Sequence, residues 1–276
     1  LSPARKVAAL SEYFGVRTAW HGPGDASPVV NPLKQPVRIA LYKPWTANMD
    51  EGWTRFVFDT YNVPFSSVNN SDLREQDLSA KYNVVVLPSQ RAREIIDGDV
   101  TSARPPEFAG GISETGVAKL KAFVADGGTL ICFDASCELA IKQFNLPLRN
   151  ALEGVRSSDF YCPGSVVALE VDTSDPLARG LRSDTDAYFI NSSAFELVEG
   201  QPTTDLRVVA RYAKENVLRS GWLLGESRLK GKIALAQVKV GKGQIILFAF
   251  RPQHRGQTWG TFPFIWNALS SSQAPR

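Results

Sequence analysis

Short apolar runs, each followed by a stretch with helical spacing, set the rhythm of the chain from Val37 onward. VRIALY (37–42), NVVVLPS (83–89) and GTLICF (128–133) carry almost no polar alternation, as expected of strands covered on both faces. PFSSV, opened by Pro64, predicts a further strand between the first two. Behind the first run, KPWTANMDEGWTRFVFDTY predicts a helix. Asn48 or Thr46 is its cap, Asp50 and Glu51 answer its positive end, and Trp53, Phe56, Val57 and Tyr61 form its apolar face. ETGVAKLKAFVAD predicts a second helix, capped by Ser113, with Val117, Leu120, Phe123 and Val124 in one stripe and Gly127 as a left-handed stop. A third helix, CELAIKQF, follows GTLICF directly.

The second half changes character. SVVALEVD (165–172), AYFIN (187–191), LRVVARYA (206–213), KIALAQVKV (232–240) and QIILFAF (244–250) predict strands. The last two, joined through Gly241-Lys242-Gly243, form an antiparallel hairpin. TFPFIWNAL (261–269) predicts a closing helix. Strand–helix alternation followed by a β-rich part implies an α/β sandwich, with a mostly parallel sheet and an added β-rich C-terminal portion. Residues 1–36 stand apart as a Gly- and Pro-rich leader behind a short helical pattern at Ala4 to Tyr13. The domain proper runs over 37–270, and 271–276 is a tail.

Composition narrows the functional classes. Of 276 residues, 43% are hydrophobic and 21% charged, which suits a packed globular core. A net charge of +3 without a dense basic stripe argues against a nucleic-acid footprint. No apolar run has the length of a membrane span. Three cysteines (Cys132, Cys137, Cys162) make no disulfide framework, and two histidines (His21, His254) are too few for an ordinary zinc centre. No metal or cofactor is expected.

The candidate chemistry gathers where strands end. In GGTLICFDASCELA, Cys137 lies near a strand-to-helix bend, where α/β hydrolytic enzymes place a nucleophile. It has no flanking glycine, and the Glu138 carboxylate opposes thiolate formation. A core role for Cys137 competes with the catalytic one, and Cys132 is core. His254, in FAFRPQHRGQTWGTF, is the candidate base. It stands with Arg251, Gln253, Arg255 and Gln257 in a loop at a strand's C-terminal end, where such sheets bind ligands. Asp50, Glu51, Ser89 and Gln90 reach the same edge. Asp50, Glu51, Gln90, Arg251, Gln253 and His254 are therefore ligand-binding candidates, with helix capping as the plainer role for the acids. Trp45, Trp53, Trp259 and Trp266 either floor a groove there or pack the core.

Several of these runs carry a resemblance. RIALYKPWTANMDEGWTRFVFDTY, NVVVLPSQ, GGISETGVAKLKAFVADGGTLI, DFYCPGS and LFAFRPQHRGQTWGTFPFIWNAL, spread over Asn31 to Leu269, are similar to one region. It is the C-terminal region of large bacterial zinc carboxypeptidases of the carboxypeptidase A type. The resemblance implies a class I glutamine amidotransferase-like, flavodoxin-like fold. It implies a zinc peptidase domain as partner, with zinc ligands and catalytic glutamate outside this chain, and an extracytoplasmic location. The function implied is accessory: binding peptide or glycan, positioning the peptidase, or oligomerising. Glutamine amidotransferases carry Gly-x-Cys-x-Gly and His-x-Glu. Here Ser136-Cys137-Glu138 and His254-Arg255-Gly256 stand instead, so thiol chemistry through Cys137 and His254 is the rival expectation, and a small-ligand site at the sheet edge a third. The leader, LSEYFGVRTAWHGPGDASPV, resembles mannonate dehydratase-like members of the enolase superfamily. His21 matches a site histidine there, without the barrel or the Mg²⁺ carboxylates, so the leader reads as a fusion remnant.

Overall fold

The structure is a computed structural model that describes residues 36–98, 105 and 108–272. The expected leader, with His21, and the end of the tail lie outside the described residues. The chain divides into two units, Leu1–Pro36 and Val37–Arg276, and the fold below is that of the second.

The strands are β1 (Ile39–Tyr42), β2 (Ser66–Val68), β3 (Val84–Leu87), β4 (Thr129–Phe133), β5 (Leu148–Asn150), β6 (Ser165–Val171), β7 (Asp184–Phe189), β8 (Phe195–Leu197), β9 (Leu206–Tyr212), β10 (Leu218–Ser220), β11 (Ile233–Val240) and β12 (Gly243–Phe248). The helices are α1 (Met49–Thr60), α2 (Asn70–Glu75), α3 (Leu78–Lys81), α4 (Ala92–Ile96), α5 (Ser113–Ala125), α6 (Cys137–Gln143) and α7 (Phe262–Ser271).

β1, β3 and β4 are buried at every position, which is why they read as unbroken apolar runs. They belong to a parallel array in the order β2-β1-β3-β4-β12. That is the doubly wound order whose ligand crevice opens at the carboxyl ends of the strands, where the winding reverses. The sheet as a whole is mixed. From β12 outward the pairing is antiparallel, through β11, β9 and β6, with β7 and β10 on β6 and the β5–β8 pair on β11. The hairpin is as expected: Val240 faces Gly243 across the turn, where Gly241 has φ +59°.

Helices supply the outer layers. α5 packs against α2, α3 and α4, and its stripe Val117, Leu120, Phe123 and Val124 is fully buried. α1 and α7 meet through Phe58, Tyr61 and Trp266. At 1.5–3 kcal/mol for each large apolar side chain withdrawn from water, these stripes, rather than helix propensity, hold the layers.

Two local expectations change. The inner face of α1 is Glu51, Thr54, Val57 and Phe58. Phe56 (52% exposed) points outward, because 54, 57 and 58 keep the 3–4 spacing of one face and 56 does not, while Tyr61 keeps that spacing and is half exposed, packing on Trp266 and Phe262. Ser113 does not cap α5. It lies inside the first turn with φ +56°, and Ile112 occupies the cap position without a side-chain bond.

Candidate functional site at the carboxyl edge of the parallel strands

The bend after β4 is made by Asp134, not by Cys137. Asp134 directly follows the strand and has φ +49°, a left-handed conformation that Asp and Asn tolerate better than other side chains. Three residues later, Cys137 begins α6 and is fully buried. Its Sγ donates to Phe248 O at 3.2 Å and Cys132 O at 3.3 Å. Burial pushes its thiol well above the ordinary value, and the Cys132 and Asp134 side chains push the same way. The cysteine is core, and the candidate nucleophile of the sequence is set aside on its geometry.

Asp134 instead anchors a buried polar hub. Arg251, directly after the apolar run that ends at Phe250, places Nη1 2.5 Å from Asp134 Oδ2. Its Nε donates to Asp50 Oδ2 at 3.1 Å and its Nη1 to Ile190 O at 2.9 Å. The other carboxylate oxygen, Asp134 Oδ1, accepts from Ser193 N at 3.0 Å and from Ser193 Oγ at 3.3 Å. Ser89 Oγ reaches Oδ2 at 3.5 Å. Four strand ends thus meet: β1 through the first turn of α1, then β3, β4 and β12. The 190–193 segment joins them from the antiparallel half. Burial pushes the Asp134 carboxyl up to about 6, and Asp50 adds to the rise. Arg251 and the Ser193 bonds pull the other way.

α1 is aimed at the hub by Asn48. Its Oδ1 accepts from Glu51 N at 3.0 Å, and its Nδ2 donates to Ser89 O at 3.0 Å, tying the helix start to the end of β3. Asp50 therefore reaches Arg251. Glu51 does not join the site: it is buried and its carboxylate holds Arg55 one turn on, at 2.5 and 2.6 Å. As a ligand-binding candidate it is withdrawn, because its charge is already matched.

The loop after β12 sits over this hub. Gln253 is fully buried and its Nε2 donates to Thr54 Oγ1 at 3.0 Å. His254 stacks on Tyr188 with ring centroids 4.3 Å apart. Burial depresses the His254 pKa, helped by Arg251 and Arg255 and opposed by Asp50, so the ring is neutral near pH 7. Gln253 Oε1, His254 Nδ1 and, across the edge, Gln90 Oε1 are buried without a hydrogen-bond partner. Cys137 and His254 share no hydrogen bond, so no thiol–imidazole pair exists for them to operate as.

Of the tryptophans, Trp45 packs edge-on against Phe108 and Trp266 joins Phe58, Tyr61 and Phe262. Trp53 lies against Phe56, and Trp259 is 71% exposed. Beside the hub, a cleft of about 600 Å³ runs between α6 and the β5–β8 pair, reaching Asp134, Ser192 and Ser193 at one end and Lys142 and Arg149 at the rim. Among the described residues no group of three or more His, Cys, Asp and Glu side chains could hold a metal ion, and no helix is long and apolar enough to cross a membrane.

Sequence reasoning placed Asp50, Gln90, Arg251, Gln253 and His254 at one edge; the structure joins Asp50 to Arg251 and Gln253 and sets His254 near them, while Gln90 follows Ser89 without a side-chain bond to the hub. It missed Asp134, Ser193 and Tyr188. Asp134 had a legible signal, an acid directly after a buried strand. Ser193 and Tyr188 come from the antiparallel half, whose approach to this edge no local pattern announces.

No family model matches the chain. A stretch of 29 residues is 72% identical to a D-galactonate dehydratase family member of Salmonella enteritidis and 69% identical to one of Musicola paradisiaca. That stretch is 10% of this chain and spans 7% of those relatives' length. Among solved structures, the chain resembles a ThuA-like protein from Bacteroides uniformis, with TM-score 0.50 and 14% identity over 89% of this chain and 94% of that one. It also resembles two cytoplasmic proteins of Salmonella typhimurium. One has TM-score 0.53 and 13% identity, with 86% of this chain and 99% of that one covered. The other has TM-score 0.51 and 14% identity, with 84% and 97% covered. At these identities the likeness concerns the fold alone: an α/β sandwich of the glutamine amidotransferase-like, flavodoxin-like kind.

Proposed function

We propose that this domain is a non-catalytic accessory module of a zinc metallocarboxypeptidase, acting by binding or positioning rather than by thiol chemistry. The observation that supports the non-catalytic part is the occupant of the bend. Asp134 fills it, engaged by Arg251 and Ser193, while the nearby thiol is sealed in the core. The peptidase context rests on the run of motifs from Asn31 to Leu269. Two measurements test the reading. With iodoacetamide at neutral pH, Cys137 is expected to stay unlabelled in the folded protein and to react once it is denatured; labelling faster than a free thiol in the native state sinks it. Mixed with a bacterial carboxypeptidase A-type peptidase domain, the protein is expected to co-elute or to change kcat/KM on peptide substrates. Independent elution and unchanged kinetics at tens of micromolar remove the peptidase partner.

A second reading is favoured by one feature, the cleft that ends on Asp134 and Ser192. A polar small molecule fits it, held between the hub and the Lys142–Arg149 rim. Calorimetry against peptides and sugar acids is the test, and silence across both panels counts against it.

A further inference from the structure

The cleft between α6 and the β5–β8 pair is lined by three acids, Asp134, Glu138 and Glu153, and by two bases, Lys142 and Arg149. Each of these charges already has a partner within the chain. Lys142 Nζ lies 2.5 Å from Glu138 Oε1 and 3.7 Å from Glu153 Oε1, and Arg149 Nη2 lies 2.5 Å from Glu196 Oε1. Asp134, at the inner end, is held by Arg251 and Ser193. An anion entering here competes with a resident carboxylate at either cation, and Asp134 repels it from the far end.

The groups without partners are uncharged. Asn145, Asn150, Asn191 and Gln201 line the same cleft. Among the described residues, the amides of Asn145, Asn191 and Gln201 make no hydrogen bond. Asn150 is fixed in place: its Oδ1 accepts from Leu152 N and Ala194 N, both at 3.1 Å, which leaves Nδ2 as an unused donor. Asn145 and Asn191 stand at φ +51° and +44°, where glycine serves a turn with less strain, so the backbone does not need their amides. A carboxamide both donates and accepts, as a hydroxyl does. Beside these groups, Ile141, Leu152 and Val198 are half-buried and give the cleft an apolar wall. Extended peptides draw on the backbone groups of a sheet edge, whereas the free groups here are side-chain amides. The volume of about 600 Å³ lies within the range of small-molecule sites.

On the small-molecule reading of this cleft, we propose that its ligand is an uncharged polyhydroxylated compound, a sugar or a cyclitol. Its hydroxyls pair with the amides of Asn145, Asn150, Asn191 and Gln201. Its C–H face rests on the wall of Ile141, Leu152 and Val198, and no ion pair forms. Affinity is then indifferent to salt, whereas a bound anion loses affinity as salt screens its contacts.

Calorimetry on the full chain tests this. The probes are glucose, galactose, cellobiose, maltotriose and myo-inositol, with glucuronate and galacturonate as charged counterparts and a set of tripeptides beside them. At least one neutral probe is expected to bind, with a Kd unchanged between about 50 mM and about 500 mM salt. The matching acid should bind at least about fivefold more weakly. Gln201→Ala, Asn145→Gly and Asn191→Gly should each weaken the neutral probe by about two- to tenfold, one lost hydrogen bond apiece. Both glycines suit a left-handed turn, and if either variant fails to fold, Gln201→Ala carries the test. An acid that binds as tightly as its neutral counterpart, or a tripeptide that outbinds both, overturns the class and leaves the small-molecule reading standing. Undiminished neutral binding in the folded variants moves the sugar out of the cleft and overturns the site. Silence from every probe removes the small-molecule reading together with this one.

Discussion

Asp134 shows how one residue sets the character of a site. Its backbone makes the bend and its carboxylate fixes Arg251, so the place a nucleophile would need is taken by a structural ion pair. Removing the cation leaves a buried, unpaired carboxylate, which costs about 3–5 kcal/mol. Arg251→Gln is therefore expected to lower stability by that order at pH 7.5 in chemical denaturation. At pH 5 the loss should be smaller, because Asp134, raised to about 6, is then mostly protonated and needs no counter-charge. The linkage sign is fixed by the same shift. With a folded value above the unfolded one, the contribution of Asp134 is fully present below about pH 4 and is lost as pH rises toward 6, an effect of roughly 2–3 kcal/mol. In the sequence the thiol competed for the role because cysteine is the reactive residue type, although its missing flanking glycines already favoured a core position. What decides the bend is a backbone torsion, and the only written trace of it is an acid directly after LICF.

Elements were legible in proportion to their length and burial. β1, β3 and β4 stand out because both faces are covered, and β11 and β12 because a Gly-Lys-Gly turn separates two apolar runs. β5, β8 and β10 are three residues each, too short to show a period of two. The polar stretch after β2 conceals α2 and α3, whose starts are fixed by Asn69 and Asp77 side chains accepting backbone N–H groups rather than by an apolar stripe. The start of α1 is the element-scale device on which the site depends. Asn48→Ala removes both the cap and the tie to Ser89 O. It is expected to cost about 1–2 kcal/mol, seen as a lower melting temperature. It should also loosen Asp50 from Arg251, and an unchanged melting temperature would show that the cap is dispensable.

At the scale of the molecule, two half-sheets share one hydrogen-bonded ladder, and Tyr212 pins their meeting point. It is fully buried, and its hydroxyl lies 2.8 Å from Ser193 O and 3.4 Å from Ala249 O. It links β9 in the antiparallel half to the segments that flank the hub. Tyr212→Phe leaves the packing in place and removes the hydroxyl's bond to Ser193 O, while Ala249 O keeps its bond from Ser193 N, at a cost of about 1–3 kcal/mol; equal denaturant midpoints for the two proteins would contradict this account. Hydrophobic spacing could not foretell the join, because which halves pair is decided by contacts far apart in the chain.

The seam has a temporal consequence. β12 pairs with β4 on one side and β11 on the other, so the strand at the centre of the sheet comes late in the chain. While a ribosome still withholds residues 243–248, β4 and β11 are bare borders able to recruit foreign strands. Synthesis must run almost to the closing helix before the molecule can knit itself shut.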